Sequence, residues 1–506
     1  MRNLLFWTAM AAGLVSGPAP VLGQTPAGGP IPAAGQALAE TIEGILAVPA
    51  AQRGLWGIHV VDLASGETVY QKNAQVPMTP ASNTKLFSTA LALARLGPDF
   101  TFRTTVLAAA APDAAGVVRG DLRLVGGGDP TLSGRVLPYR KGEKRGDELA
   151  PLRDLARQVA ARGVRRVEGD LVADGTRIPW APYPQGWTVD DMAWEYGAPV
   201  SAFVVHDNAF TLSLTAGKAA GYPVEVTVSP AADYFTIDNR LRVVAGGRRE
   251  VEIRRRPGSR VLQLIGVLPP GAASSSSLAL DDPALYAGTV FRRLLAEQGV
   301  TVNGRVVTAQ REDGEPYVAP QGEVLAQRVS PPLIETLTVV NKVSQNLHAE
   351  IALLAAAGKT RGDWTAEKGL AELDVLLRAA EVAPEWYDLQ DGSGLSRRGL
   401  AAPEVITRLL AWLHKSPWRE DFYRTLPVGG EDGSLERRFR GMGDVSALRA
   451  KTGSVSHVNA LSGYIGADPA RRYAFSIIAN HTTASSFEVR GLIDRIGKAL
   501  LTERAK

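Results

Sequence analysis

Three short strings carry the residues best suited to chemistry: Ser82-Asn83-Thr84-Lys85, Ser344-Gln345-Asn346 and Lys451-Thr452-Gly453. A serine hydroxyl is a weak nucleophile until a base takes its proton, and a lysine amine is such a base once burial or a neighbouring cation leaves it neutral. A serine followed by a lysine three residues on therefore suits acyl transfer, in which the hydroxyl attacks a carbonyl. The second string offers a hydroxyl that both donates and accepts, beside a two-sided carboxamide. The third offers a cation, a second hydroxyl and a residue without a side chain. Each pattern alone is cheap: a serine and lysine so spaced recur by chance about once in a chain of this length. Their order and setting give them weight.

The first string follows a hairpin pattern, Leu55 to Leu63 and Glu67 to Tyr70, broken at Ala64-Ser65-Gly66. Pro77 and Pro80 end the preceding segment, and the spacing predicts a helix to about Leu96 with Ser82 or Asn83 as its cap. Ser82 then lies beside unpaired N–H groups at a helix start, and Lys85 projects from the same face about one turn on. Ser344 to Asn346 falls in the break between two helical patterns, Pro332 to Val343 and Leu347 to Ala357. Lys451 to Gly453 lies on a strand, Ala447 to Gly453, followed by strands at Ala460 to Ile465 and Tyr473 to Ala479. Further helices are expected at Gln36 to Ala47, Asp363 to Ala380, Pro403 to His414 and Ser485 to Glu503.

Between Phe102 and about residue 325 the texture differs. Short strand patterns (Phe102 to Leu107, Gly120 to Val125, Val167 to Ala173, Val300 to Val307) accompany amphipathic helices at Leu149 to Arg162 and Asp282 to Gln298. From His206 to Gly266 the pattern is almost entirely short strands, and Ala273 to Ser277 reads as a boundary loop. A helix-and-sheet unit thus opens, is interrupted for roughly 200 residues, long enough for one or two further domains, and resumes.

The chain has 506 residues, 45% of them hydrophobic and 21% charged, enough for about two to four units with cores of their own. The formal charge is +4 with basic and acidic residues interspersed, which argues against a nucleic-acid-binding patch; Arg254-Arg255-Arg256 is the densest run and reads as solvated sheet. Cysteine is absent, which excludes disulfides, thiol nucleophiles and thiolate metal sites. Residues 1–23 read as a secretory leader: Arg2, an apolar run from Leu4 to Val15 too short to span a bilayer, and a cleavage site at Val21-Leu22-Gly23. Export to a periplasm or beyond the cell is expected, with no integral membrane segment in the mature chain and a loose linker at Thr25 to Gly35.

Three further strings join the first three: Gly126-Gly127-Gly128-Asp129-Pro130-Thr131-Leu132, Asp391-Gly392-Ser393-Gly394-Leu395-Ser396-Arg397, and Leu426-Pro427-Val428-Gly429-Gly430-Glu431-Asp432-Gly433-Ser434-Leu435. With them, nearly the whole mature chain resembles a class C penicillin-binding protein of the D-alanyl-D-alanine carboxypeptidase/endopeptidase type. The long step from Ser82 to Ser344 is the most discriminating part, because small carboxypeptidases and class A β-lactamases have a much shorter one. The resemblance implies an α+β fold: a β-lactamase/transpeptidase-like catalytic domain, an antiparallel sheet flanked by helices, with two nested inserted domains of which the inner is β-rich. The expected division is catalytic at 24–102 and 326–506, an outer insert at 103–205 and 276–325, and an inner insert at 206–275.

The resemblance also implies roles. Ser82 would be the nucleophile, Lys85 its base, and Ser344 a proton relay to the leaving amine. Asn346 would hold the substrate amide, while Lys451 and Thr452 grip a terminal carboxylate. Gly453 would let the substrate approach the strand, and the N–H groups of Ser82 and Ser454 would stabilise the oxyanion. No cofactor or metal is implied. The implied partners are a peptidoglycan stem peptide ending in D-Ala-D-Ala or its cross-link, and β-lactams as covalent inhibitors; the oligomeric state is left open.

Plainer readings exist for the same residues: Ser82 as a helix cap, Ser344 to Asn346 as an interhelix turn, Lys451 as a solvated strand lysine. Asp174 reads equally as a cleft residue or a turn aspartate, and His348 and His457 as satisfied polar groups. A β-lactamase and a non-catalytic cell-wall binding protein of the same fold are the competing functions. No G-x-S-x-G string is present, which argues against a Ser-His-Asp hydrolase.

Overall fold

The computed structural model describes residues 33–505 apart from 144 and 247. The expected leader and residues 25–32 of the linker lie outside the described residues. The central element is a five-stranded sheet in the order Leu448–Val455, Val458–Ile465, Tyr473–Asn480, Leu55–Asp62, Thr68–Lys72, every neighbouring pair antiparallel. Leu55–Asp62, early in the chain, is zipped along its full length to Tyr473–Asn480, near the end, from Leu55↔Asn480 to Asp62↔Tyr473. That pairing joins the two ends of the chain into one unit around everything inserted between.

Both faces of the sheet are covered, so its inner strands read as near-continuous apolar runs. The period of two still decides which side chain goes where. Ile58, Val60, Phe475 and Ile477 face a core shared with the helices Ala33–Leu46 and Ser486–Ala505, through Ile42, Ile493 and Ile496. Ala474, Ile478 and Tyr464 face the opposite core, built with the helices Lys85–Leu96, Leu333–Lys342, Asn346–Arg361, Ala366–Ala379 and Pro403–Lys415. The Asn346–Arg361 helix is apolar from Ala349 to Ala357 except at Glu350 and buried from Asn346 to Ala357, as a helix with no solvent face there must be. It packs against the helix that begins at Lys85, which is itself buried from Lys85 to Leu93.

The inserted residues form a second, mixed sheet: Val306–Ala309, Leu171–Asp174, Leu122–Val125, Arg103–Ala108, Glu323–Val329. The helices Ala150–Ala161 and Pro283–Glu297 cover it through Leu155, Val159, Val290 and Phe291. Within this insert lie two three-stranded sheets, one of Ala273–Ala279, Ala209–Ala216 and Val224–Ser229, the other of Thr236–Val243, Val261–Leu268 and Glu250–Arg254. They share a core through Phe210, Leu212, Leu262 and Leu264. The fold is α+β, with the helix-flanked antiparallel sheet and the β-rich inner piece that the sequence led us to expect.

Three local expectations are corrected. Ala273 to Ser277 is a strand, not a boundary loop: it pairs with Ala209–Ala216, and Leu278↔Phe210 and Ala279↔Ala209 fix its register. A serine run has no hydrophobic alternation to announce it, yet its backbone ladder forms regardless of side chain. Glu323–Val329, which sequence patterning left unassigned, pairs with Arg103–Ala108 and runs across position 325. The expected strands Val167 to Ala173 and Val300 to Val307 are each split, into Arg166–Val167 and Leu171–Asp174, and into Thr301–Val302 and Val306–Ala309. Gly169 and Gly304 meet at the breaks, where Gly304 N–H donates to Gly169 O at 3.0 Å and a Cβ on Gly304 would overlap the Gly169 carbonyl.

Phe475 is fully buried in the strand that joins the early and late parts of the chain. Phe475→Ala is expected to cost about 3–5 kcal/mol, read as a fall in the urea midpoint of the transition that reports the central sheet. An unchanged midpoint would mean that this strand does not carry the unit.

Candidate functional site

Ser82 sits in a single 3₁₀ turn, Ala81–Thr84, and the α-helix begins only at Lys85. No side chain caps either element. The expected cap by Ser82 or Asn83 is therefore corrected. Asn83 instead turns its amide to Ser462 Oγ at 2.7 Å, tying the turn to the sheet, and the Ser82 hydroxyl is left for Lys85. Ala81 holds φ at +48°, an uncommon value for a residue with a Cβ, and this bends the chain from Pro80 into the turn.

Lys85 is fully buried and its Nζ meets three acceptors: Ser82 Oγ at 2.9 Å, Asn346 Oδ1 at 2.6 Å and the Ser393 carbonyl at 2.7 Å. Burial pushes its pKa down to about 7, against the opposing pull chiefly of the Asp391 carboxylate. Lys451, also fully buried, donates to Ser344 Oγ at 2.8 Å and to the Thr452 carbonyl at 2.9 Å. Its proton affinity is held well below that of an ordinary lysine, first by burial and then by repulsion from Lys85. Ser82, Ser344 and Thr452 are half-buried and Ser454 is exposed. The site is thus two amines beneath a row of hydroxyls.

Each remaining residue of the three strings has a defined place. Ser344 takes φ +63° in the break between the helices Leu333–Lys342 and Asn346–Arg361, which turns its hydroxyl toward Lys451. Asn346 opens the second of these helices; besides receiving Lys85 it donates from Nδ2 to the Tyr196 carbonyl of the insert at 2.7 Å. Both ends of its carboxamide are engaged inside the protein, where the resemblance had led us to expect a contact to substrate. Thr452 Oγ1 donates to Ser434 Oγ at 2.8 Å. Gly453 serves packing: a Cβ there would lie 2.7 Å from the Pro80 carbonyl, so its absence brings the lysine-bearing strand against the serine turn. All eight sequence-singled residues lie on the three segments that converge here.

Other parts of the site come from residues the three strings omit. The Asp391 carboxylate accepts from Trp187 Nε1 (3.0 Å), Ser393 Oγ (3.1 Å), Gly394 N (2.8 Å) and Ser396 N (2.9 Å), and so shapes the loop that offers the Ser393 carbonyl to Lys85. Gly394 holds φ +77°, and a Cβ on it would overlap the Ala81 carbonyl. Asp432 pairs with Lys342 at 2.5 Å and accepts from Val428 N at 2.8 Å, which sets the loop carrying Ser434. The strings Asp391 to Arg397 and Leu426 to Leu435 signalled these two loops; Tyr196 and Glu350 had no local signal. Asp174 is a buried turn aspartate, paired with Arg123 at 2.5 Å and accepting from Thr176 N and Oγ1. His348 is held by Asp207 at 2.9 Å, and His457 by the Thr482 carbonyl at 3.0 Å. Among the described residues no group of three or more His, Asp or Glu side chains converges on a metal position.

A protein-family profile described as the D-Ala-D-Ala carboxypeptidase 3 (S13) family matches residues 38–500. The D-alanyl-D-alanine carboxypeptidase of Actinomadura sp. (strain R39) is 37% identical over 455 residues, covering 88% of this chain and 81% of that protein. A D-alanyl-D-alanine carboxypeptidase of Haemophilus influenzae is 25% identical over 443 residues, covering 85% and 86%. The crystal structure of penicillin-binding protein 4 from H. influenzae shares the fold, with a TM-score of 0.79 at 23% identity, covering 91% of this chain and 98% of that one. The chain belongs to the D-Ala-D-Ala carboxypeptidase 3 (S13) family.

Gly394 and Gly66 allow a controlled comparison, since both have φ near +78° (+77° and +79°) but only Gly394 abuts backbone. Gly66→Ala is expected to cost about 1–2 kcal/mol, the conformational term alone. Gly394→Ala should cost at least twice that, read from chemical denaturation; equal costs would mean that the loop yields without disturbing the serine turn.

Proposed function

We propose that the chain is a serine D-alanyl-D-alanine carboxypeptidase that also opens D-Ala cross-links, acting on peptidoglycan stem peptides through an acyl-enzyme on Ser82. The observation that carries this reading is the 2.9 Å contact between Ser82 Oγ and the Nζ of a buried lysine whose pKa is pushed down to about 7. At neutral pH such an amine is in part unprotonated and can accept the serine proton.

Ser82 Oγ attacks the carbonyl of the penultimate D-Ala while its proton passes to Lys85. The oxyanion is stabilised by the N–H groups of Ser82 and Ser454. The C–N bond breaks and the proton is delivered through Ser344 to the departing amine of the terminal D-Ala, leaving an ester on Ser82. Water then attacks that ester with Lys85 again as base; the proton returns to Ser82 Oγ, and the peptide leaves as a carboxylic acid. Lys451 and Thr452 receive the terminal carboxylate. An arriving anion would restore the charge that burial takes from Lys451, so binding and protonation reinforce each other. A β-lactam presents the same carbonyl and carboxylate and would acylate Ser82 too. One of the related crystal structures, at a TM-score of 0.75, is of the H. influenzae protein complexed with a β-lactam. The leader-like pattern of residues 1–23 fits an exported enzyme acting on the cell wall, and among the described residues no helix is long and apolar enough to cross a membrane.

Incubation with benzylpenicillin is expected to add one ligand mass to the intact protein, and Ser82→Ala to add none while keeping its circular dichroism. Release of D-Ala from a peptide ending in D-Ala-D-Ala should follow the same pattern. Sustained turnover of the β-lactam without D-Ala release would point to a β-lactamase, and no adduct on the wild type would refute the mechanism. The acylation rate should depend on pH through Lys85: below about pH 7 the ammonium form dominates and cannot accept a proton. The rate should then fall about tenfold per unit of further acidification. A flat profile between pH 5 and 8 would contradict Lys85 as the base.

A further inference from the structure

Glu350 lies one turn beyond Asn346 on the same helix and is 2% exposed. Its Oε2 accepts the Gly392 N–H at 2.8 Å. Its Oε1 is buried without a hydrogen-bond partner among the described residues. The neighbouring Asp391 is the opposite case: its two oxygens receive four donors, the complement that suits an ionised carboxylate. Two carboxyl groups back Lys85, and the hydrogen bonds assign the negative charge to one of them. The geometry also joins Glu350 to the base. Gly392, held by Glu350 through its N–H, is held through its carbonyl by Ser88 Oγ at 2.8 Å, and the next residue supplies the carbonyl that accepts from Lys85 Nζ.

We propose that Glu350 is a positioning residue for Lys85, held as a neutral carboxylic acid: it fixes the Gly392–Ser393 turn without placing a second negative charge behind the amine. A second charge would favour the ammonium form and disarm the base. The charged groups acting on Glu350 are Lys85 from the serine helix and Asp391 from its own loop. Asp313 and Glu367, both exposed, line a cavity that Glu350 also lines. Burial first, and then repulsion from Asp391, push its pKa up to about 8, against the Gly392 N–H and Lys85. An acid with that affinity is mostly protonated at pH 7, the middle of the range in which Lys85 titrates.

The inference rests on Lys85 acting as the base, and the test separates the two. Second-order rate constants for acylation by benzylpenicillin are measured from pH 5 to 9 for the wild type, Glu350→Ala and Glu350→Gln. Infrared difference spectra of wild type minus Glu350→Gln are recorded at pH 7. Glu350→Ala should slow acylation by about 100-fold through loss of positioning. Glu350→Gln, a neutral group of the same shape, should recover most of that loss and leave the acid limb near pH 7. The difference spectrum should show the C=O stretch of a protonated carboxyl, shifted in D₂O. A limb displaced downward by about one unit or more in Glu350→Gln would show that Glu350 carried a charge, and absence of the acid band would show the same; either overturns the inference even if Glu350→Ala fails to fold. A wild type that is not acylated at all would instead defeat the functional reading.

Discussion

The structure depends on burying the Lys85 amine without leaving it unsatisfied. An ammonium taken out of water is costly unless it is paired or gives up its proton. Here three acceptors surround Nζ, two uncharged side chains and a backbone carbonyl, so its donors are matched while no direct salt bridge locks it in the charged form. The three acceptors come from three places: the turn at Ser82, the helix start at Asn346 and the loop at Ser393. The interaction that tunes the base is therefore also the one that gathers distant segments of the chain. The lysine-bearing strand completes the set, docking through Gly453 against Pro80.

The charge arrangement follows from the same constraint. Two fully buried lysines serve the same site, and repulsion from Lys85 adds to burial in making Lys451 harder to protonate. Behind them, Asp391 compensates with a charge that its own loop stabilises, and Glu350 packs without adding another. The hydroxyls of Ser82, Ser344 and Thr452 then form the surface that a substrate meets. Asn346 belongs to the buried layer: it hands Lys85 an acceptor and ties the site to the insert through Tyr196, so the insert takes part in placing the base.

Much of this was legible in the sequence. The three strings, their order, and the hairpin, helix break and strand around them led to the residues that now sit together, and the change of texture after Phe102 marked the inserted sheets. What was not legible was decided by contacts between residues far apart in the chain. Ser82 has the composition of a cap, yet its hydroxyl is held by Lys85 because the 3₁₀ turn delays the helix start. Ala273–Ala279 lacks any apolar alternation, and its strand exists because Ala209–Ala216 offers an edge. Glu323–Val329 finds its partner in Arg103–Ala108, remote in sequence. Glu350 reads as one more polar residue on a helix until the fold places it beside Gly392.

The claim on which the account turns is that Lys85 exchanges its proton near neutral pH while buried against Ser82. The direct measurement is the titration of Lys85 itself, by NMR of protein labelled at the lysine Cε carbon, with the resonance assigned by its loss in Lys85→Arg. A midpoint near pH 7 is expected, far from the ordinary lysine value of 10.5. A midpoint at or above 10 would contradict the claim, because an amine so tightly protonated could not take the serine proton.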